Sequence, residues 1–144
     1  MILPIVGYGD PILKKKAQIV EKNYPDLKSL ICDMFETMYH ASGVGLAAPQ
    51  IGKSIRLFII DTSAFDNKDF EESSGFKTAT LKKVFINPEI INESGEAKPF
   101  EEGCLSIPNV REIINRKSEI KLSYFDENFV RHQESFNGII ARVI

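Results

Sequence analysis

Tryptophan is absent from the 144 residues, cysteine and histidine occur twice each, and no long apolar run is present. Each shortage excludes something. Cys32 and Cys104 are too few for a disulfide framework and fit a reducing compartment. A membrane span needs about 18 uninterrupted apolar residues, and Arg56 and Asp61 close in on the strongest candidate. Residues 1–6 are apolar but have no basic flank, and they meet Gly7, Gly9, Asp10 and Pro11 at once, so neither signal peptide nor anchor is expected. Charge of one sign is also lacking. Lys and Arg number 18 against 20 Asp and Glu, a formal net charge of −2, which gives no field to draw in nucleic acid or an anionic membrane. A cytoplasmic protein with no direct nucleic-acid or membrane partner is expected.

What is there suffices for a core. Apolar residues make up 43% of the chain, and a chain of this size buries roughly 68–70% of its unfolded surface. Residues 1–144 read as a single domain. Leu27, Leu30, Ile31, Met34 and Met38 recur at helical spacing and predict an amphipathic helix over 25–39, with Pro25 and Asp26 suited to its first turn. Cys32 falls inside that helix and reads as a small core residue. The stretch 42–50 follows, where Gly43, Gly45 and Pro49 break the helix and leave backbone bare for a neighbour. Beyond it the pattern turns to strands. Segments 55–60, 84–87 and 89–92 are apolar and β-branched, the last two separated by Pro88, and 62–80 is a polar excursion. Ile120, Leu122 and Tyr124 alternate with polar residues before Asp126-Glu127-Asn128, so a hairpin over 120–136 is predicted. The fold class is α+β, a long helix packed on antiparallel strands. At the end, 138–144 reads as an apolar element just getting under way.

Few residues can carry chemistry. Cys104 follows Glu101, Glu102 and Gly103. Adjacent acids raise a thiol's pKa and disfavour a bare nucleophile, whereas a metal cation deprotonates the thiol and is itself drawn by acid. A buried hydrophobe and a metal ligand both fit this context. Gln50 ends the glycine-framed loop, where its amide could donate to an oxygen that becomes negative in a reaction or could clamp local backbone. His40 closes the helix, and His132 lies among alternating polar residues and reads as solvated. Neither histidine belongs to an H-E-x-x-H, and no C-x-x-C is present, so a complete metal site is not written here.

Gly43-Val44-Gly45-Leu46-Ala47-Ala48-Pro49-Gln50 and Glu102-Gly103-Cys104-Leu105-Ser106 together resemble the first two signature motifs of the peptide deformylases, in their order and at their spacing. The resemblance extends over the whole chain, from Tyr8-Gly9-Asp10-Pro11 to the segment 108–116. It implies a metal-dependent hydrolase that removes the formyl group from the N-terminal formyl-methionine of newly made proteins. Such an enzyme has N-formylmethionyl nascent peptides as partners, and the ribosome as a further one. The implied cofactor is a divalent metal, Fe²⁺ foremost, with Zn²⁺, Ni²⁺ or Co²⁺ as alternatives. Cys104 matches its thiolate ligand. The Gln50 side chain and the Leu105 N–H match the donors to the negative oxygen. Gly43, Val44 and Gly45 match the backbone along which the peptide lies as an added strand, and Arg111 and Arg116 match basic positions near the cleft.

The family's two histidine ligands and general base belong to a later H-E-x-x-H helix, which this sequence does not contain. One thiolate does not replace the three protein ligands of a catalytic site. The expectation is therefore a C-terminally incomplete deformylase domain, lacking the metal-binding helix and inert as it stands. Two other readings are a deformylase-like peptide-binding module without catalysis and a metal-free thiol hydrolase using Cys104 with His132.

Overall fold

A computed structural model describes residues 1–7, 9–65, 81–104 and 107–144, with backbone alone at 98–101, 103, 104, 107–115 and 142. The long helix, α1, runs Leu27–His40 and buries Leu27, Ile31, Met34, Thr37 and Met38. It starts two residues later than the periodicity implies. Asp26 is its N-cap but sits in the left-handed region at φ 55° and makes no side-chain cap bond. The helix ends where the N–H of Ser42 reaches the Tyr39 carbonyl and that of Gly43 reaches Met38, the paired bonds of a Schellman closure. Ser42, at φ 58°, takes the left-handed position that glycine usually fills. Cys32 departs from its expected place. It is exposed, on the flank of the apolar stripe rather than within it.

Five antiparallel strands form one sheet in sequence order: β1 (Gly45–Ala47), β2 (Leu57–Asp61), β3 (Lys82–Cys104), β4 (Ile107–Phe125) and β5 (Arg131–Asn137). The period-2 pattern of β2 sends Leu57 and Ile59 to one face and Phe58 and Ile60 to the other. On the first face α1 packs against Leu46, Leu57, Ile59, Val84 and Ile86. On the second, Phe85 stacks on Phe58 and meets Tyr124 at a tilt, both with ring centroids 4.6 Å apart, and Phe136 meets it edge-on at 5.8 Å. A short terminal helix, α2 (Gly138–Val143), is the last element and adds Ala141 to that second cluster. The two predicted segments 84–87 and 89–92 are one strand. Pro88 does not end β3 but falls in a register shift between Ile86 and Glu89, because a bulge absorbs the ladder bond a proline cannot make.

The predicted β4–β5 hairpin is present, and its turn is pinned by Asp126. One carboxylate oxygen accepts from the N–H groups of Asn128 and Val130, at 2.9 and 3.0 Å. The other lies 2.8 Å from His132 Nε2. His132 is thus not solvated as the alternation suggests; it is half-buried and stacks on Tyr124, its cross-strand partner. The His132 bond, followed by those from backbone, holds the Asp126 carboxyl below the usual range. Tyr124 and Lys83 do the same for Glu134. Carboxyls depressed in the folded state contribute stability above their unfolded pKa values, about 3.9 for Asp and 4.3 for Glu, and lose it as pH falls through the folded values. Urea midpoints measured across the acid range should fall below about pH 4, and Asp126→Asn should flatten that fall while leaving the neutral-pH ladder intact.

Candidate functional site

The site grows from the junction of α1 and β1. The Schellman closure turns the chain sharply, so that Gly43 and Val44 lead straight into β1 with no intervening loop. β1 is the first strand of the sheet. It pairs with β2 through Gly45↔Ile60, Leu46↔Ile59 and Ala47↔Phe58, and the N–H of Asp61 extends the ladder to the Val44 carbonyl at 2.9 Å. No strand pairs with its other edge among the described residues. An open edge is a template for a further strand.

β1 runs directly into a 3-10 turn, Ala48–Ile51, which Gly52 closes in the left-handed region at φ 80°. Pro49, at the start of that turn, supplies the fixed φ it needs. Gln50 is held twice. Its backbone carbonyl accepts the N–H of Val6 at 2.8 Å, and its side-chain Oε1 accepts the N–H of Ala47 at 2.9 Å. The backbone-clamp reading of Gln50 is therefore realised, and it does not compete with the donor reading. With the oxygen of the amide fixed on β1, the Nε2 end has a set direction.

The second motif lies on the β3–β4 hairpin. Cys104 is the last residue of β3 and pairs with Ile107, while Gly103 pairs with Arg111. Leu105 lies outside the described residues, as do the side chains of Cys104 and Arg111. Glu102 is described. The guanidinium of Arg116 grips its carboxylate with Nε 2.8 and 3.0 Å from the two oxygens and a terminal nitrogen at 2.8 Å. Arg116 is thus the ion-pair partner of Glu102, which lies two residues before Cys104, and it offsets one of the two acids that oppose a thiolate there. The sequence offered no register from which to pair these residues.

A second cluster at the Val44 end of β1 was not legible either. Tyr39 Oη donates to Asp61, and Lys82 Nζ sits 4.7 Å above the Phe35 ring and 5.9 Å above that of Tyr39. Burial, then the Asp61 carboxylate, pushes the Tyr39 phenol up to about 12. Burial would raise Asp61, but the bonds from Tyr39 and Ser63 and the charge of Lys82 outweigh it and hold the carboxyl low. Tyr39 lies off the apolar stripe of α1, and that was its only signal.

Metal-ligating groups are sparse. Among the described residues no three of His, Cys, Asp and Glu cluster as a metal site. His132 is engaged by Asp126, and His40 is exposed at the end of α1. An open groove of about 370 Å³ lies between α1, β3 and the β4–β5 turn, lined by Ile31, Cys32, Phe35, Lys82, Asp126 and Glu127 among others. Among the described residues, it includes none of the candidate site residues. No described helix is long and apolar enough to cross a membrane.

A long helix on an antiparallel sheet, whose first strand leads with an open edge into a pinned glutamine, defines an α+β protein. Comparison with known proteins makes the assignment specific. The polypeptide deformylase family matches residues 2–144, and the chain belongs to it. A peptide deformylase of Christiangramia forsetii is 53% identical over the whole chain, which covers 74% of that protein, and one of Flavobacterium psychrophilum is 52% identical, with 75% covered. The chain thus spans about three quarters of the length of these relatives. Among solved structures, the peptide deformylase of Thermotoga maritima superposes with a TM-score of 0.82 at 38% identity, covering 99% of this chain and 86% of that one. A Met-Ala-Ser-bound class I type b peptide deformylase of Acinetobacter baumannii gives 0.87 at 32% identity, with 99% and 88% covered.

Proposed function

We propose that this chain forms the peptide-binding and oxygen-holding part of a cytoplasmic, metal-dependent deformylase, which hydrolyses the formyl group from the N-terminal formyl-methionine of nascent proteins. The observation that carries the reading is Gln50, fixed by Val6 and Ala47 at the end of an open-edged strand. The nascent peptide adds to that edge. Its backbone lies along Gly43, Val44 and Gly45, and its formyl end reaches Gln50. There the Gln50 amide and the Leu105 N–H donate to the formyl oxygen as it becomes negative, which lowers the barrier only if both donors are fixed beforehand. Arg111 contributes positive charge near the cleft. The bound Met-Ala-Ser of the Acinetobacter baumannii protein is a ligand of the expected kind, a short peptide beginning with methionine.

Residues 1–144 do not by themselves fit the metal, iron foremost. Cys104 supplies one thiolate, and three protein ligands are the rule for a catalytic site. The remaining ligands are assigned to the quarter of the relatives that this chain does not span. The test joins residues 1–144 to the C-terminal remainder of the Christiangramia forsetii relative, loads iron, and measures formate released from formyl-Met-Ala-Ser. Release by this extended protein and none by residues 1–144 alone is the expected result. An extended, metal-loaded protein that binds the formyl peptide without releasing formate would leave only a binding module.

Gly45 gives an independent check on the groove. A Cβ built there meets the Ile59 carbonyl and Val143 Cγ1 at 3.6 Å and Ile60 at 3.7 Å, ordinary contact distances. Gly45→Ala should therefore fold normally. The added methyl narrows the space beside β1 on the α2 side, and KM for the formyl peptide should rise about tenfold, the scale of one methyl in a fitted pocket. Steady-state kinetics with a melting curve separates the two effects.

A further inference from the structure

The segment 1–6 precedes every element of the fold, yet it touches both α1 and the Gln50 turn. It is fastened at three points. The Met1 ammonium lies 2.8 Å from Asp33 and 2.5 Å from Glu36, the Leu3 N–H donates to Thr37 Oγ1 at 2.8 Å, and the Val6 N–H donates to the Gln50 carbonyl at 2.8 Å. Leu3 and Ile5 pack between these points against the α1 core. The segment is a strap drawn from the middle of α1 to the site.

Thr37 is the odd residue in this arrangement. It is buried on the apolar stripe of α1, where a β-branched residue with a hydroxyl is a poor helix former and brings a polar atom into the core. Its hydroxyl donates to the Asp33 carbonyl one turn back, at 2.7 Å. That bond uses the hydrogen and leaves the oxygen to accept from Leu3. Packing alone would be served by valine, so the hydroxyl is explained by the strap it holds.

We infer that Thr37 is a positioning residue for Gln50, acting through the strap 1–6. This rests on the reading of Gln50 as a donor toward the formyl oxygen, but the mechanical coupling stands on geometry alone. Holding the Gln50 carbonyl fixes the 3-10 turn, and the turn fixes the side chain that closes on Ala47. A small misplacement of a donor is costly when its worth depends on being preorganised.

Amide hydrogen exchange on residues 1–144 tests the coupling without reference to activity. Thr37→Val keeps shape and removes the acceptor; Thr37→Ser keeps the acceptor. In Thr37→Val, exchange at Val6 and Ala47 should quicken about tenfold, while the β4–β5 ladder stays as protected as before. Thr37→Ser should restore protection at both. Unchanged exchange at Val6 and Ala47, loosening spread evenly over the whole chain, or a wild-type chain in which those two amides are already unprotected would each overturn the inference. In the extended protein Thr37→Val should lower kcat several-fold with KM little changed, and Thr37→Ser should recover it. If exchange responds as expected while Gln50→Glu leaves turnover intact, the strap stands and the catalytic reading of Gln50 fails.

Discussion

Gln50→Glu in the extended protein should lower kcat for formyl-peptide hydrolysis by about 10²–10³-fold, the cost of losing one preorganised donor to a developing oxyanion, with little change in melting temperature. The substitution is nearly isosteric. Glutamate retains an Oε1 to accept the Ala47 N–H, now held at 2.9 Å, but it replaces the donating NH₂ with an acceptor and places negative charge where the formyl oxygen becomes negative. Gln50→Ala removes both functions. It should match Gln50→Glu in kcat and in addition cost about 1 kcal/mol of stability, the net worth of a typical intramolecular hydrogen bond. The pair separates clamp from donor. Wild-type turnover by Gln50→Glu, alongside destabilised Gln50→Ala, would leave Gln50 a clamp and nothing more.

The glycine-framed setting and the resemblance of the motif marked Gln50 as a candidate, but how it is held was not legible. Val6 is 44 residues away in sequence and lies in a segment with no regular structure, and no periodicity announces such a contact. α1 was legible because five apolar residues at helical spacing leave one solution. β1 was hidden because Gly45–Ala47 is three residues long, too short for alternation and led by a glycine. β3 was cut in two by Pro88, and its stretch 89–97 is exposed on both faces, so no apolar alternation marks it as strand. His132 was misjudged for a related reason. Its partners Asp126 and Tyr124 come to it through the hairpin register, which a one-residue slip would reverse. Ser42 carries a backbone conformation for which glycine is the usual signal, and the neighbouring Gly43 drew the eye instead.

Cys104→Ala should have the largest effect of any single substitution. A lone cysteine beside two acids supports either a metal-held thiolate or a buried hydrophobe, and the proposed function rests on the first. Arg116, bonded to Glu102 through two nitrogens, reduces the opposing charge beside it. A catalytic site that loses one of three protein ligands loses most of its affinity for the metal. In the extended protein, metal content should drop from one per chain toward zero, and formate release should fall by at least about 10³-fold. Cys32→Ala serves as the control. Cys32 is exposed on α1 and outside both motifs, so its loss should change neither quantity. The same pair of variants decides between chemistries. A thiol hydrolase using Cys104 and His132 would lose activity on alkylation yet ignore a chelator, whereas a metal enzyme is silenced by the chelator and revived by added iron. His132 already favours the second outcome, since it pairs with Tyr124 near one end of β4 while Cys104 pairs with Ile107 at the other. Chelator-resistant formate release that survives Cys104→Ala would remove the metal from this protein's chemistry altogether.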